Sequence, residues 1–407
     1  MRIIILNDYG FINGGATQVA IASLNALAMH GFDVTFVSSV GPIAATIDRN
    51  LVNVINFNQH DLLSNPSRVK AAINGLWNFQ TAMNFESLLK QYDPKDTIIH
   101  LHSWVKSLSS SVVHRAIKMG FKIVCTLHDY FSVCPNGGFY NYQLKKACAL
   151  APMSLACIAN NCDARNYSQK LWRVTRQAIQ SNVGGIPNEI KHFITVSDYS
   201  ENLLRPFLPS TARFFRVRNP IEINKYPLPN AGNNEAFTFI GRLSTEKGGV
   251  LFAKAAKLTG VKAVFVGNGS EEKNIRDANP SAEILGWQNR EGVIQAIRSS
   301  KAIVFPSLLH ETQGLVVLEA AALGIPAIVS DTCAASEAIV DGESGLLFRA
   351  GDIHDLSTKL TLLHNNQKLA TSFGSKAYNQ YWNDPCTIDN HVKGLISCYT
   401  KIIGLMA

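Results

Sequence analysis

Two carboxylates, Glu311 and Glu319, stand eight positions apart across a glycine in "HETQGLVVLEAAALGIPAIVSD", residues 310–331. On one continuous helix that spacing would part them by roughly 12 Å and turn them by about 80°, too far to share a proton or a metal. They are not a catalytic dyad. Gly314 and the apolar spacing of "LVVLEAAALG" predict a helix that begins near Leu315, with Glu311 in the loop before it and Glu319 one turn inside. Free N–H groups at Gly314, Leu315 and Val316 then form an anion site. The layout suits one elongated ligand, with a phosphate over the helix start, one polyol at Glu311 and another at Glu319.

Two cations fit the same ligand. "FIGRLSTEKGG" places Arg242 and Lys247 at a strand-to-helix turn. Arginine clamps phosphate oxygens through two N–H bonds, and lysine neutralises charge that develops on a leaving group, so the pair matches a diphosphate. "VGNGS" and "LGW" are turns able to hold a base through backbone groups, which marks Gly267 and Trp287. His128 closes an apolar strand in "TLHDY", where an α/β sheet binds ligands, and Asp129 beside it either joins the site or caps the next turn.

These residues need rigid elements to hold them. "RIIIL", "TQVAIASLNALAMHG" and "VTFVS" read as one βαβ unit, and further strands are expected at 97–101, 122–127 and 192–196. A second alternating series runs from "AFTFIGRLS" through "KAVFVGNG", "AEILGW", "KAIVFPS" and "PAIVS". Such alternation predicts α/β architecture with mostly parallel sheets. The Pro- and Asn-rich "RNPIEINKYPLPNAGNNEA" between the series reads as a linker, giving domains 1–219 and 220–377. A helical segment, 378–407, follows and is expected to pack back on the first domain.

At 407 residues, 46% apolar and 17% charged, the chain can bury two cores and lacks the composition of a disordered protein. It has no apolar run of the roughly 18 to 20 residues that span a bilayer, and "MRIIILNDYG" reads as a first strand of a cytoplasmic protein, not a signal peptide. Residues 1–220 hold 21 Lys and Arg against 12 Asp and Glu, a net +9, and residues 221–407 hold 17 against 18, a net −1. A basic half can attract an anionic membrane face or a phosphorylated acceptor, or be ordinary solvated surface; no nucleic-acid-binding signature accompanies it.

"GRLSTEKG", "HETQGLVVLEAAALGIPAIVSD" and "DGESGLLF" together resemble the retaining glycosyltransferases of the GT-B fold, the group 1 glycosyl transferase family (family 4), whose hallmark is E-x7-E. The likeness is specific over 237–350 and looser before it, where "GGATQVAIASLNALAMHGFDVTFVS", "TLHDY" and "ITVSDYS" fall in family order. The resemblance implies two Rossmann-like domains facing a central cleft, acceptor on the first and nucleotide sugar on the second. It assigns Glu311 to the transferred sugar, Glu319 to the ribose, Arg242 and Lys247 to the diphosphate, and the backbone of Gly314, Leu315 and Val316 to phosphate and sugar. By the same likeness Gly14 and Gly15 form a turn beside diphosphate and acceptor, His128 contacts the reacting sugar, and Ser197 and Asn219 lie near the cleft. The family's aromatic residue two places after the first glutamate is Gln313 here, which leaves the donor sugar open.

The implied reaction keeps the anomeric configuration and needs no metal, and no Asp-x-Asp metal motif occurs. No clear carboxylate nucleophile is offered for two displacements, so a same-face route is expected, with the departing diphosphate taking the acceptor's proton. The implied setting is surface polysaccharide synthesis from a UDP- or GDP-sugar onto a glycan or a polyprenyl-diphosphate-linked saccharide at the inner membrane face. A nucleotide-sugar epimerase of the same fold and a non-catalytic nucleotide-sugar sensor are the competing readings.

Cys134, Cys148, Cys157 and Cys162 cluster in an expected insertion near 130–165. Four thiolates could hold a structural zinc, yet the spacings lack close C-x2-C pairs, and free thiols are the alternative.

Overall fold

The computed structural model describes residues 1–404. Its first half builds strands β1 (Arg2–Tyr9), β2 (Asp33–Val40), β3 (Val52–Asn56), β4 (Thr97–Leu101) and β5 (Lys122–Thr126). A short antiparallel pair follows, β6 (Tyr140–Asn141) with β7 (Lys146–Ala147), then β8 (His192–Thr195) and β9 (Arg213–Arg216). All but β6 and β7 form one parallel sheet in the order β3-β2-β1-β4-β5-β8-β9. The second half forms another parallel sheet from β10 (Ala236–Ile240), β11 (Ala263–Val266), β12 (Glu283–Ile284), β13 (Ser300–Phe305), β14 (Ala327–Ser330) and β15 (Gly345–Phe348), ordered β12-β11-β10-β13-β14-β15.

Helices cover both faces of each sheet, which is why the strands are apolar runs and do not alternate with polar residues. On β1, Ile4 and Leu6 enter a core with Phe85, Leu89 and Val112, while Ile3 and Ile5 enter the opposite one with Leu24 and Leu27. The period of two along a strand sends neighbours to opposite faces, and here both faces are dry.

Strand order reverses between β1 and β4 in the first sheet and between β10 and β13 in the second. Crevices outside the carboxyl ends of the strands at such reversals bind ligands. The loops leaving these four strands carry the glycine turn at Gly14, His102, Arg242 with Lys247, and Glu311.

The helix Ile388–Ile403 lies on the first sheet's outer core, burying Val392, Leu395 and Tyr399 among Ile3, Ile5 and Leu24. Two hydrogen bonds fix it: His391 Nε2 with Ser23 Oγ at 2.8 Å, and Tyr399 OH with His100 Nδ1 at 2.6 Å. The expected start of this segment, residue 378, falls inside the helix Gln367–Asn383, whose Ala377 and Tyr381 pack on Ala321 and Ala322 of the second domain. The chain crosses between the domains only after Asn383. Among the described residues no helix is long and apolar enough to cross a membrane.

Candidate active site

Glu311 is held at the loop end of β13. Its Oε1 accepts from Lys247 Nζ at 2.5 Å and from Ser307 Oγ at 2.9 Å. Lys247 arrives from the β10 loop because Gly248, at φ 73°, lets the chain press against the loop after β13: a Cβ there would meet Pro306 O at 1.9 Å. Arg242, in the same β10 loop, is largely exposed, and its Nη2 donates to the buried Glu246 at 2.8 Å.

The helix after Glu311 runs Leu315–Ala322. Gly314, at φ 80° and ψ 59°, is its N-cap and supplies no side-chain acceptor, so the first N–H groups, including those of Leu315 and Val316, have no capping side chain. A Cβ at Gly314 would lie 2.4 Å from that of Ala335. Glu319 sits one turn inside this helix, and Arg290 Nη1 pairs with its Oε1. Burial pushes the Glu319 carboxyl above its ordinary range, and the Arg290 charge opposes that rise. Arg290 Nη2 also donates to Glu222 O at 2.7 Å, tying the Glu319 pair to the interdomain linker.

On the first domain, Gly14 caps the helix Gly15–Met29, again without a side-chain acceptor, and a Cβ at Gly14 or Gly15 would meet nothing within 4 Å. His128 Nε2 and His102 Nδ1 hydrogen bond at 2.9 Å with their rings stacked, and burial pushes His128 down to about 3. Both imidazoles are therefore neutral near pH 7. The buried His102 Nε2 has no partner. Asp129 Oδ1 accepts from Phe131 N at 2.9 Å, so it caps the following turn; burial raises it to about 6 against the pull of Lys106 and Arg176.

The two domains meet around Glu311. Thr312 Oγ1 donates to His128 O at 2.9 Å, Tyr199 OH lies 2.5 Å from His310 Nδ1, and the Glu337 carboxylate accepts from the first N–H groups of the helix Asp198–Leu204. The structure thus brings His128, Lys247, Glu311 and the Gly314 helix start into one region. Gly267 and Trp287 lie on the far side of the second sheet's switch point, where Gly267 N donates to Gly286 O at 2.8 Å and Trp287 is 74% exposed. Gly267 is also required by packing, since a Cβ would meet Gly241 O at 2.0 Å.

Two further candidates have partners in the fold, and one expectation needs correction. Ser197 is a buried N-cap of the helix Asp198–Leu204, its hydroxyl accepting from Ser200 N at 3.0 Å and donating to Ser200 Oγ at 2.8 Å. Asn219 is buried; its backbone N–H donates to Gln313 Oε1 at 3.2 Å, while its own Oδ1 and Gln313 Nε2 are buried without a partner. The four clustered cysteines do not assemble a zinc site: among the described residues no three Cys, His, Asp or Glu side chains are placed to share a metal. Lys170, 1% exposed, instead sets Nζ 3.4 Å from Cys157 Sγ and 3.3 Å from Cys162 Sγ, a cation where a metal would have to sit. Cys134 and Cys148 are free thiols like the rest.

Arg290, Ser307 and His102 escaped the sequence reading. His102 was open to the rule that singled out His128, since it too follows an apolar strand at its carboxyl end. Arg290, at the first position of the helix Arg290–Arg298, gave no signal apart from its charge.

Residues 13–225 match the family model described as Glycosyltransferase Family 4, and residues 221–380 match Glycosyl transferases group 1. An uncharacterized 42.6 kDa protein in the cps region of Klebsiella pneumoniae is 27% identical over 339 residues, 79% of this chain and 82% of that protein. A capsular polysaccharide biosynthesis glycosyltransferase, CapM, of Staphylococcus aureus is 24% identical over 217 residues, 48% of this chain and 55% of CapM. Among solved structures, sucrose-phosphate synthase from Thermosynechococcus elongatus superposes with a TM-score of 0.71 at 15% identity over the whole of both chains. Anabaena HepE in complex with UDP and glucose does so at 0.68 and 15%, covering 98% of this chain and 100% of HepE. The two facing parallel-sheet domains are the GT-B architecture.

Proposed function

Because the chain belongs to glycosyltransferase family 4, we propose that it moves a sugar from a UDP- or GDP-sugar to a hydroxyl of a glycan or lipid-linked saccharide, keeping the anomeric configuration. The observation that carries this reading is the Lys247–Glu311–Ser307 contact at the mouth of an uncapped helix. It sets a cation and a carboxylate within 2.5 Å of each other where a phosphate and a sugar hydroxyl would also lie adjacent. Lys247 and the helix N–H groups stabilise charge as the diphosphate departs. Glu311, oriented by two donors, accepts from hydroxyls of the transferred sugar. The neutral His128 lies on the opposite wall, and the exposed glycines Gly14 and Gly15 leave room for phosphate and acceptor at the second helix start.

On this reading Glu319 binds the ribose and Arg242 completes the diphosphate clamp, with no metal in the chemical step. A relative from a cps region and a capsular polysaccharide glycosyltransferase support a setting in surface polysaccharide synthesis; the acceptor we propose is carried on a polyprenyl diphosphate, with transfer on the cytoplasmic side. The test is acceptor-dependent release of nucleoside diphosphate from a panel of UDP- and GDP-sugars. Release that accompanies a labelled saccharide product of the donor's own anomeric configuration supports the proposal. Interconversion of the nucleotide sugar without any acceptor would identify an epimerase, and donor binding without turnover a sensor.

A further inference from the structure

Among the described residues, five exposed large apolar side chains fall in one short segment. Leu63, Val69, Ile73, Phe79 and Met83 are each more than half exposed, from 53% at Ile73 to 71% at Val69. Val69 and Ile73 stand four apart on the helix Arg68–Leu76, and Phe79 and Met83 stand four apart on the helix Phe79–Leu89. Residues four apart share one face of a helix. Half-buried Trp77 joins the two pairs, its ring 6.5 Å from that of Phe79. The other faces of these helices are occupied: Gly75 packs against Trp172 and Leu62, and Phe85 and Leu89 enter the first domain's core.

Between its bounding carboxylates the segment carries charge of one sign. No carboxylate occurs between Asp61 and Glu86, while Arg68 and Lys70 are exposed within it. Arg68 Nη1 donates to Leu63 O at 3.1 Å, which anchors that cation beside the exposed leucine. The surrounding half of the chain carries the net +9. The segment is also fastened to the cleft: Asp61 Oδ2 accepts from Tyr9 OH at 2.9 Å, Leu62 N donates to Lys106 O at 3.0 Å, and Asn78 Nδ2 donates to Ser107 O at 2.9 Å. Those partners belong to the end of β1 and the loop after β4, the strands that flank the first domain's switch point.

We propose that this stripe seats the first domain on an anionic lipid bilayer, with Val69, Ile73, Phe79 and Met83 entering the boundary between headgroups and acyl chains and Arg68 and Lys70 meeting lipid phosphates. Apolar side chains at helical spacing, a tryptophan beside them and cations of one sign are what that boundary accommodates. The carboxylate-free stretch and the net +9 of its half of the chain match an anionic surface, which is the ground for choosing lipid over a protein partner. The proposal rests on the reading of the acceptor as lipid-linked, because it gives the acceptor side of the cleft a reason to face a membrane. It is tested without acceptor or donor.

The full chain is mixed with phosphatidylcholine vesicles, with or without phosphatidylglycerol, and sedimented at low and high salt. Wild type binds the anionic vesicles and keeps part of that binding at high salt, because the apolar contribution is not screened. The fourfold variant Val69→Ser, Ile73→Ser, Phe79→Ser, Met83→Ser loses that salt-resistant part, about 10² in affinity. Arg68→Gln with Lys70→Gln loses only the part that salt removes. All six side chains are exposed, and an unchanged melting temperature for each variant confirms an intact fold. Failure of wild type to bind anionic vesicles, equal binding by the fourfold variant, or a wild-type dimer that the variant converts to monomers overturns the proposal. If the vesicle results hold but a soluble saccharide is glycosylated as well as a lipid-linked one, the surface stands and the lipid-linked acceptor is what fails.

Discussion

At the scale of single residues, the two glutamates of the opening motif meet opposite cations and should fail differently when changed. Glu311→Gln nearly abolishes transfer and leaves free-nucleotide affinity mostly intact, because its proposed partner is the sugar. Glu319→Gln weakens UDP or GDP binding, seen by calorimetry; equal loss of nucleotide affinity in both variants would end the two-ended ligand reading. Lys247→Ala slows the chemical step by roughly 10² or more, the scale for removing one donor to a developing anion. EDTA leaves single-turnover rates unchanged, and an absolute need for Mg²⁺ or Mn²⁺ would overturn a metal-free step. Arg290 yields a pH signature. Burial already raises Glu319 above its ordinary 4.5, and Arg290 limits that rise. In Arg290→Met the folded protein holds the Glu319 proton more tightly still than the unfolded chain does. The stability lost to this grows as pH rises from the unfolded value through the folded one. Thermal melts should therefore show a small deficit near the ordinary 4.5 and the largest at neutral pH. At neutral pH the deficit is ~2 kcal/mol, below the roughly 3–5 kcal/mol of a fully buried pair, because the Arg290 side chain is 37% exposed.

At the scale of elements, the site depends on two loops that approach closely. Gly248 permits the approach, with its φ of 73° and no room for a Cβ beside Pro306 O. Gly248→Ala both strains the backbone, by about 1–3 kcal/mol, and pushes the β10 loop from the β13 loop. Its kcat/KM should fall by more than the melting temperature alone explains, since Lys247 loses its register with Glu311. A glycine variant away from the site, Gly342→Ala, shares the positive φ of 74° but has open space around its Cβ, and should cost stability without that loss of turnover. A turnover loss no greater for Gly248→Ala than for Gly342→Ala would show that the close approach is incidental.

At the scale of the whole molecule, the chain's last helix belongs to the first domain and stitches the two halves together. Tyr399 OH bonds a buried histidine, His100, whose other ring nitrogen is 2.6 Å from Thr126 Oγ1. Tyr399→Phe leaves His100 Nδ1 without a partner and should cost about 1–3 kcal/mol in urea unfolding, with kcat nearly unchanged. A drop in kcat as large as the drop in stability would mean that the histidine row from His100 through His102 to His128 transmits to the site.

The sequence by itself determined the alternation of strand and helix, the linker, and the start of the helix at Leu315, because each rests on local patterns: apolar periodicity, a Pro- and Asn-rich break, and a glycine stop. It also marked Glu311, Lys247 and Gly314 through spacing and residue type. Tertiary structure alone decided which partners these groups meet. Arg290 reaches Glu319 from 29 positions away, Thr312 reaches the His128 carbonyl from 184, and Lys170 takes the place of a metal among cysteines. Strand order decides that β10 lies beside β13 and β1 beside β4, and no local pattern encodes strand order. Ser197 is likewise only a residue type in the sequence; that its hydroxyl caps the helix Asp198–Leu204 through Ser200 N is decided by the fold.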